Sequence, residues 1–168
     1  MIVVVMGVTG CGKSTVGAAL ARRLGWRFLD ADDFHPPANV AKMAAGVPLT
    51  DDDRWPWLDR LAAELRAIEA GGGHVVLACS ALRELYRSRI AAAGEVRFVH
   101  LRGDLRTIAA RLATRKHRYM PASLLESQFA TLEPPADAID VDVRLPVDQQ
   151  VDAICGALAL AAPRVAQP

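Results

Sequence analysis

Eight consecutive residues near the start of the chain carry the clearest chemistry: Gly7-Val8-Thr9-Gly10-Cys11-Gly12-Lys13-Ser14. They fit G-x-x-x-x-G-K-[ST] at every fixed position, and Thr15 follows. Glycines at this spacing let successive backbone N–H groups turn inward with no Cβ in the way, making an anion nest at a helix N-terminus. Lys13 adds a mobile positive charge for the outer phosphates of a nucleoside triphosphate, and the Ser14 hydroxyl suits Mg2+. Cys11 leaves two readings open. Beside a helix N-terminus and a lysine its thiol sits in a positive field that favours the reactive thiolate; turned inward, it is a small packed residue.

A second group of residues suits an acceptor. Asp30 and Asp32 follow a short apolar run, and residues two apart at a strand end point the same way. Both carboxylates can then face the outermost phosphate, the alternative being a solvated acidic turn. Arg54 and Arg83 have the planar donor pattern that grips a carboxylate; otherwise each is a solvated helix arginine, with Asp51 as a partner for Arg54. Asp51–Asp53 suit the positive start of a helix, with Thr50 or Asp51 as its cap. His35 and Lys42 could hydrogen-bond hydroxyls. Arg111, Arg115, Lys116, His117 and Arg118 form a basic segment, with Arg111 and Arg115 four apart on one helical face.

The elements needed to position these groups are legible in outline. Strands are expected at Ile2–Met6, Arg27–Leu29, Val75–Ala78, Val96–Leu101 and Ile139–Val143. Between them, helices are expected over Ser14–Leu24, Trp55–Ala70, Leu82–Ala92, Leu105–Arg115 and Ser123–Leu132, with a shorter one at Asn39–Ala45 and a last one at Val147–Leu160. Strands alternating with helices make an α/β fold with a parallel sheet covered on both faces. Open sheets of this kind bind ligands at the carboxyl ends of their strands.

Composition bounds what the chain can do. Its 168 residues suit one domain, expected over 1–162 with a frayed tail at 163–168. Charges of 20 Lys+Arg and 19 Asp+Glu leave +1, so nothing electrostatic favours nucleic acid. No apolar run reaches the ~18 residues that span a bilayer. Three cysteines without paired spacing fit a reducing, cytoplasmic setting.

Beyond the phosphate loop, several segments carry a family likeness. Phe28-Leu29-Asp30-Ala31-Asp32-Asp33-Phe34-His35-Pro36, Asn39–Met43, Gly46–Leu58, Cys79–Arg87 and Ser127–Pro134 occur in order. Over about residues 2–160 the chain resembles the P-loop gluconokinases. The resemblance implies a P-loop kinase fold with a five-stranded parallel sheet and a short lid. It also implies ATP, Mg2+ and transfer to the 6-hydroxyl of D-gluconate, by a homodimeric enzyme. By position it gives Asp30 and Ser14 to the metal, and Lys13, Asp32 and Arg115 to catalysis. Gly7 to Thr15, Arg111, Arg115 and Arg118 fall to ATP, and Asp32, His35, Lys42, Arg54 and Arg83 to the acceptor. One departure stands out: His117-Arg118-Tyr119 replaces the family's Gly-His-Phe in the lid. A shikimate or nucleoside monophosphate kinase, and a nucleotide-gated binding module, are the competing readings.

Overall fold

Ile2–Met6 forms β1, whose five side chains are all fully buried. A strand apolar on both sides needs cover on both, and the sheet topology supplies it. The structure, a computed structural model, describes residues 1–113 and 122–160. Within it β2 (Arg27–Asp30), β3 (Val75–Ala78), β4 (Val96–Arg102) and β5 (Ile139–Asp142) join β1 in the order β2-β3-β1-β4-β5. Every pairing is parallel.

The helices are α1 (Lys13–Leu24), α2 (Pro37–Ala44), α3 (Asp51–Ala70), α4 (Glu84–Ala91), α5 (Leu105–Ala113), α6 (Ala122–Thr131) and α7 (Val147–Ala157). Strand side chains alternate between faces. Val3 and Val5 pack with Val16 and Leu20 of α1, Ile108 of α5 and Ile154 of α7. Ile2, Val4 and Met6 pack on the other side with Leu58, Leu61 and Leu65 of α3 and Ile90 of α4. This is the expected α/β architecture. Because α3 leads back to the start of β3, its own first turn lies at the carboxyl edge of the sheet, where Asp51 meets Arg83 of the β3–α4 connection.

Several boundaries differ from the sequence reading, and two of the differences bear most on the site. α3 begins at Asp51, not Trp55, because Thr50 caps it: the Thr50 hydroxyl accepts from Asp53 N–H while the Asp53 carboxylate accepts from Thr50 N–H. α4 begins at Glu84, not Leu82. Ala81 has a φ of 43° and Arg83 is extended, while the buried Arg87 guanidinium holds the carbonyls of Ala81 and Leu82. The lid residues Arg115, His117, Arg118 and Tyr119, and the tail from 163 on, lie outside the described residues.

Candidate active site

The phosphate loop is shaped where glycine is obligatory. Gly7 has a φ of +139°, and a Cβ there would come within 2.9 Å of the Cys11 sulfur and 3.0 Å of the Leu101 carbonyl. Gly10, at +87°, lies against Leu112 of α5, 2.7 Å from where a Cβ would be. Gly12 caps α1 with no side-chain bond, so the helix's first N–H groups are left to face an anion. Lys13 Nζ donates to the Val8 carbonyl at 3.2 Å.

Ser14 and Asp30 meet as the sequence pattern requires. The Ser14 hydroxyl donates to Asp30 Oδ2 at 2.7 Å, and Asp30 Oδ1 accepts from Asp32 N–H at 3.1 Å. A hydroxyl and a carboxylate at a phosphate nest fit Mg2+, which takes one or two protein oxygens and completes its shell with phosphate and water. Among the described residues no cluster of three or more His, Cys, Asp or Glu is placed to cage a metal, in keeping with that open mode.

Asp32 reaches the same edge by a different route from the one expected. The strand ends at Asp30, and a 3₁₀ turn over Ala31–Phe34 carries Asp32 outward. Strand alternation therefore does not place it. Its charge acts on both His35 and Cys79.

Cys11 takes the packed reading, and the reactive-thiol expectation is corrected. It is fully buried, and burial pushes its thiol up despite the opposing charges of Lys13 and Arg111. Its N–H donates to the Val8 carbonyl at 3.3 Å, tightening the loop. Burial raises the Cys79 thiol to about 12. Arg111 lies on the phosphate side, where it donates to the Val143 carbonyl.

On the other side of the cleft one carboxylate gathers three groups. Asp51 accepts from the Tyr86 hydroxyl at 2.6 Å, from Arg83 at 2.8 Å and from Arg54 at 3.3 Å. Both guanidiniums also lie over the Tyr86 ring, at 5.3 Å for Arg54 and 5.6 Å for Arg83. The Tyr86 hydrogen bond, then the two arginine charges, hold the Asp51 carboxyl below its usual range against the opposing effect of burial. Glu133 stands 3.6 Å from Arg83 and accepts the Glu84 N–H at 2.6 Å. The two arginines singled out from sequence are thus brought together; the Asp51 pairing expected for Arg54 is present, while the contacts of Asp51 with Arg83 and Tyr86 are what the sequence reading missed. The Thr50-x-x-Asp53 spacing was the available signal, since a cap made by that pair frees Asp51.

His35 and Lys42 complete this side. His35 stacks on Trp57 with ring centroids 4.2 Å apart, and Trp57 donates to the Ala31 carbonyl at 2.8 Å. Burial pushes the His35 imidazole down, despite Asp32 nearby, which favours its neutral form. With Nδ1 accepting from the buried Asn39 amide at 3.4 Å, Nε2 carries the proton. Lys42 is bound to Asp53 at 2.7 and 2.8 Å, which ties α2 to the start of α3.

Known proteins resemble the chain along most of its length. A family model described as an AAA domain matches residues 2–135. A probable gluconokinase of Xenopus tropicalis is 47% identical over 163 residues, covering 84% of this chain and 86% of that protein. The chain belongs to the gluconokinase family. The gluconokinase of Gluconobacter oxydans is 50% identical over 135 residues, 80% of this chain and 76% of its own. A crystal structure of a gluconokinase from Sinorhizobium meliloti has a TM-score of 0.85 at 42% identity, covering 94% of this chain and 90% of that one. Within this gluconokinase fold, the phosphate loop with Asp30 and the Asp51–Arg54–Arg83–Tyr86 cluster open on one sheet edge.

Proposed function

We propose that the protein transfers the terminal phosphoryl group of ATP to the 6-hydroxyl of D-gluconate, giving 6-phospho-D-gluconate and ADP. Family membership over most of the chain supports the reaction. The single structural observation that carries it is the shared edge of the phosphate loop and the paired arginines.

The roles follow from chemistry and position. The loop N–H groups and Lys13 bind the phosphates, and Lys13 offsets charge that grows in the transition state. Ser14 and Asp30 would hold Mg2+, which supplies further neutralisation there. Asp32 takes the hydroxyl proton as the new O–P bond forms and the bond to ADP breaks. Arg54 and Arg83 grip the gluconate carboxylate through donors that Asp51 leaves available. His35 Nε2–H and the Trp57 wall serve the hydroxyls, and Lys42 supports them by holding α2. Arg111, Arg115 and Arg118 complete the phosphate side. A homodimer in the cytoplasm, implied by the family resemblance, belongs to the same proposal, and sedimentation of the purified chain tests the dimer.

ADP release across a panel of acceptors tests the reaction. D-gluconate should support turnover while shikimate and nucleoside monophosphates fail. Equal rates with shikimate, or no dependence on any acceptor, would contradict the assignment.

A further inference from the structure

One peptide group in the phosphate loop is held at both ends. The Val8 carbonyl accepts from Lys13 Nζ at 3.2 Å and from Cys11 N–H at 3.3 Å. On the same peptide the Thr9 N–H donates to Gln128 Oε1 at 2.7 Å, and Gln128 Nε2 donates to the Thr9 hydroxyl at 3.0 Å. Gln128 belongs to α6, 119 positions along the chain. No role in the reaction proposed above falls to it.

A peptide unit is planar and rigid, so fixing the direction of its N–H also fixes the carbonyl opposite. Here that carbonyl is the acceptor for the lysine ammonium. The unit turns about ψ of Val8 and φ of Thr9, and Gly7 and Gly10 on either side let the neighbouring backbone follow such a turn. Leu112 closes off the space at Gly10. We propose that Gln128 is a positioning residue for Lys13: its amide sets the Val8–Thr9 plane, and the plane sets where the ammonium sits. A carboxamide suits the task because it offers one acceptor and one donor side by side, matching the N–H and hydroxyl of a single threonine. The inference rests on ATP use by this loop and not on the identity of the acceptor.

Calorimetric titration of the full chain with ATP and Mg2+, without acceptor, tests it independently of gluconate. Gln128→Met keeps length and bulk but removes both bonds, and it should weaken ATP binding about tenfold. Thr9→Val removes only the hydroxyl and should weaken binding about threefold. The double variant should match Gln128→Met, because the bond lost by Thr9→Val is already gone. AMP, which lacks the outer phosphates that Lys13 serves, should compete as well with the variants as with wild type. The KM for gluconate at saturating ATP should stay within about twofold. The proposal is overturned by ATP affinity near wild type in Gln128→Met, by effects that multiply in the double variant, or by equal losses for ATP and AMP. Should Gln128→Met fail to fold, Thr9→Val alone decides, and unchanged ATP affinity there overturns the idea.

Discussion

On the phosphate side of the candidate site, Gly7–Ser14 act largely through backbone groups within eight consecutive positions, whereas on the proposed acceptor side Asp51 must meet Arg83 and Tyr86, 32 and 35 positions away. A nest of N–H groups depends on local φ values, so a short sequence specifies it wherever a strand feeds a helix. A carboxylate site made of guanidiniums depends on two elements arriving together, here the first turn of α3 and the start of α4. The first kind of site binds a phosphate of almost any nucleotide; the second can read one acid among many. Catalysis should therefore be lost on one side and selectivity on the other.

The largest effects are expected where charge changes during transfer. Lys13→Ala should lower kcat by ~10²–10³, and Asp32→Asn, which keeps shape but not basicity, by ~10²–10⁴. Steady-state kinetics checks both, and gluconate KM should move far less than kcat in each. A near wild-type rate for Asp32→Asn would move the proton-accepting role elsewhere.

On the acceptor side the split should invert. Arg83→Met removes a charged hydrogen-bond donor and should raise gluconate KM by about tenfold to a hundredfold while leaving ATP KM close to wild type. A rise in ATP KM instead would erase the division between the two sides.

The ease of reading each side from sequence follows the same division. The phosphate loop, the strand before it and the helix after it are local, and the structure repeats them with a one-residue shift at Lys13. Asp30 was legible because a carboxylate at the end of β2 has no other edge to occupy. Asp51 was legible only in part: its spacing offered it to Arg54, but three aspartates in a row all suit a helix start, and only the tertiary contacts with Arg83 and Tyr86 show that it gathers both arginines. The start of α4 was hidden for a similar reason: the buried Arg87 ties up the Ala81 and Leu82 carbonyls, a contact with no periodic signature. Gln128 was read only as part of a family-like segment, since nothing local ties it to Thr9. Cys11 was left open by its neighbours' charges and decided by packing.

A smaller effect concerns stability. Lys42, then the Thr50 N–H, holds the Asp53 carboxyl at about 2, below its usual 3.8. A carboxyl lowered by folding stabilises above its unfolded value and loses that contribution as pH falls through the folded one. The loss should run from about pH 4 to about pH 2. Lys42→Met should reduce stability at about pH 5 and flatten this acid dependence, as read by urea midpoints across the range. An unchanged slope would place the acid sensitivity in other carboxyls.

The most direct measurement is the identity of the product. Purified protein with ATP, Mg2+ and D-gluconate should yield a phosphate ester whose phosphorus couples, in the NMR spectrum, to the two protons on carbon 6. Coupling to a single methine proton, or release of inorganic phosphate with gluconate unchanged, would contradict transfer to the 6-hydroxyl in this cleft.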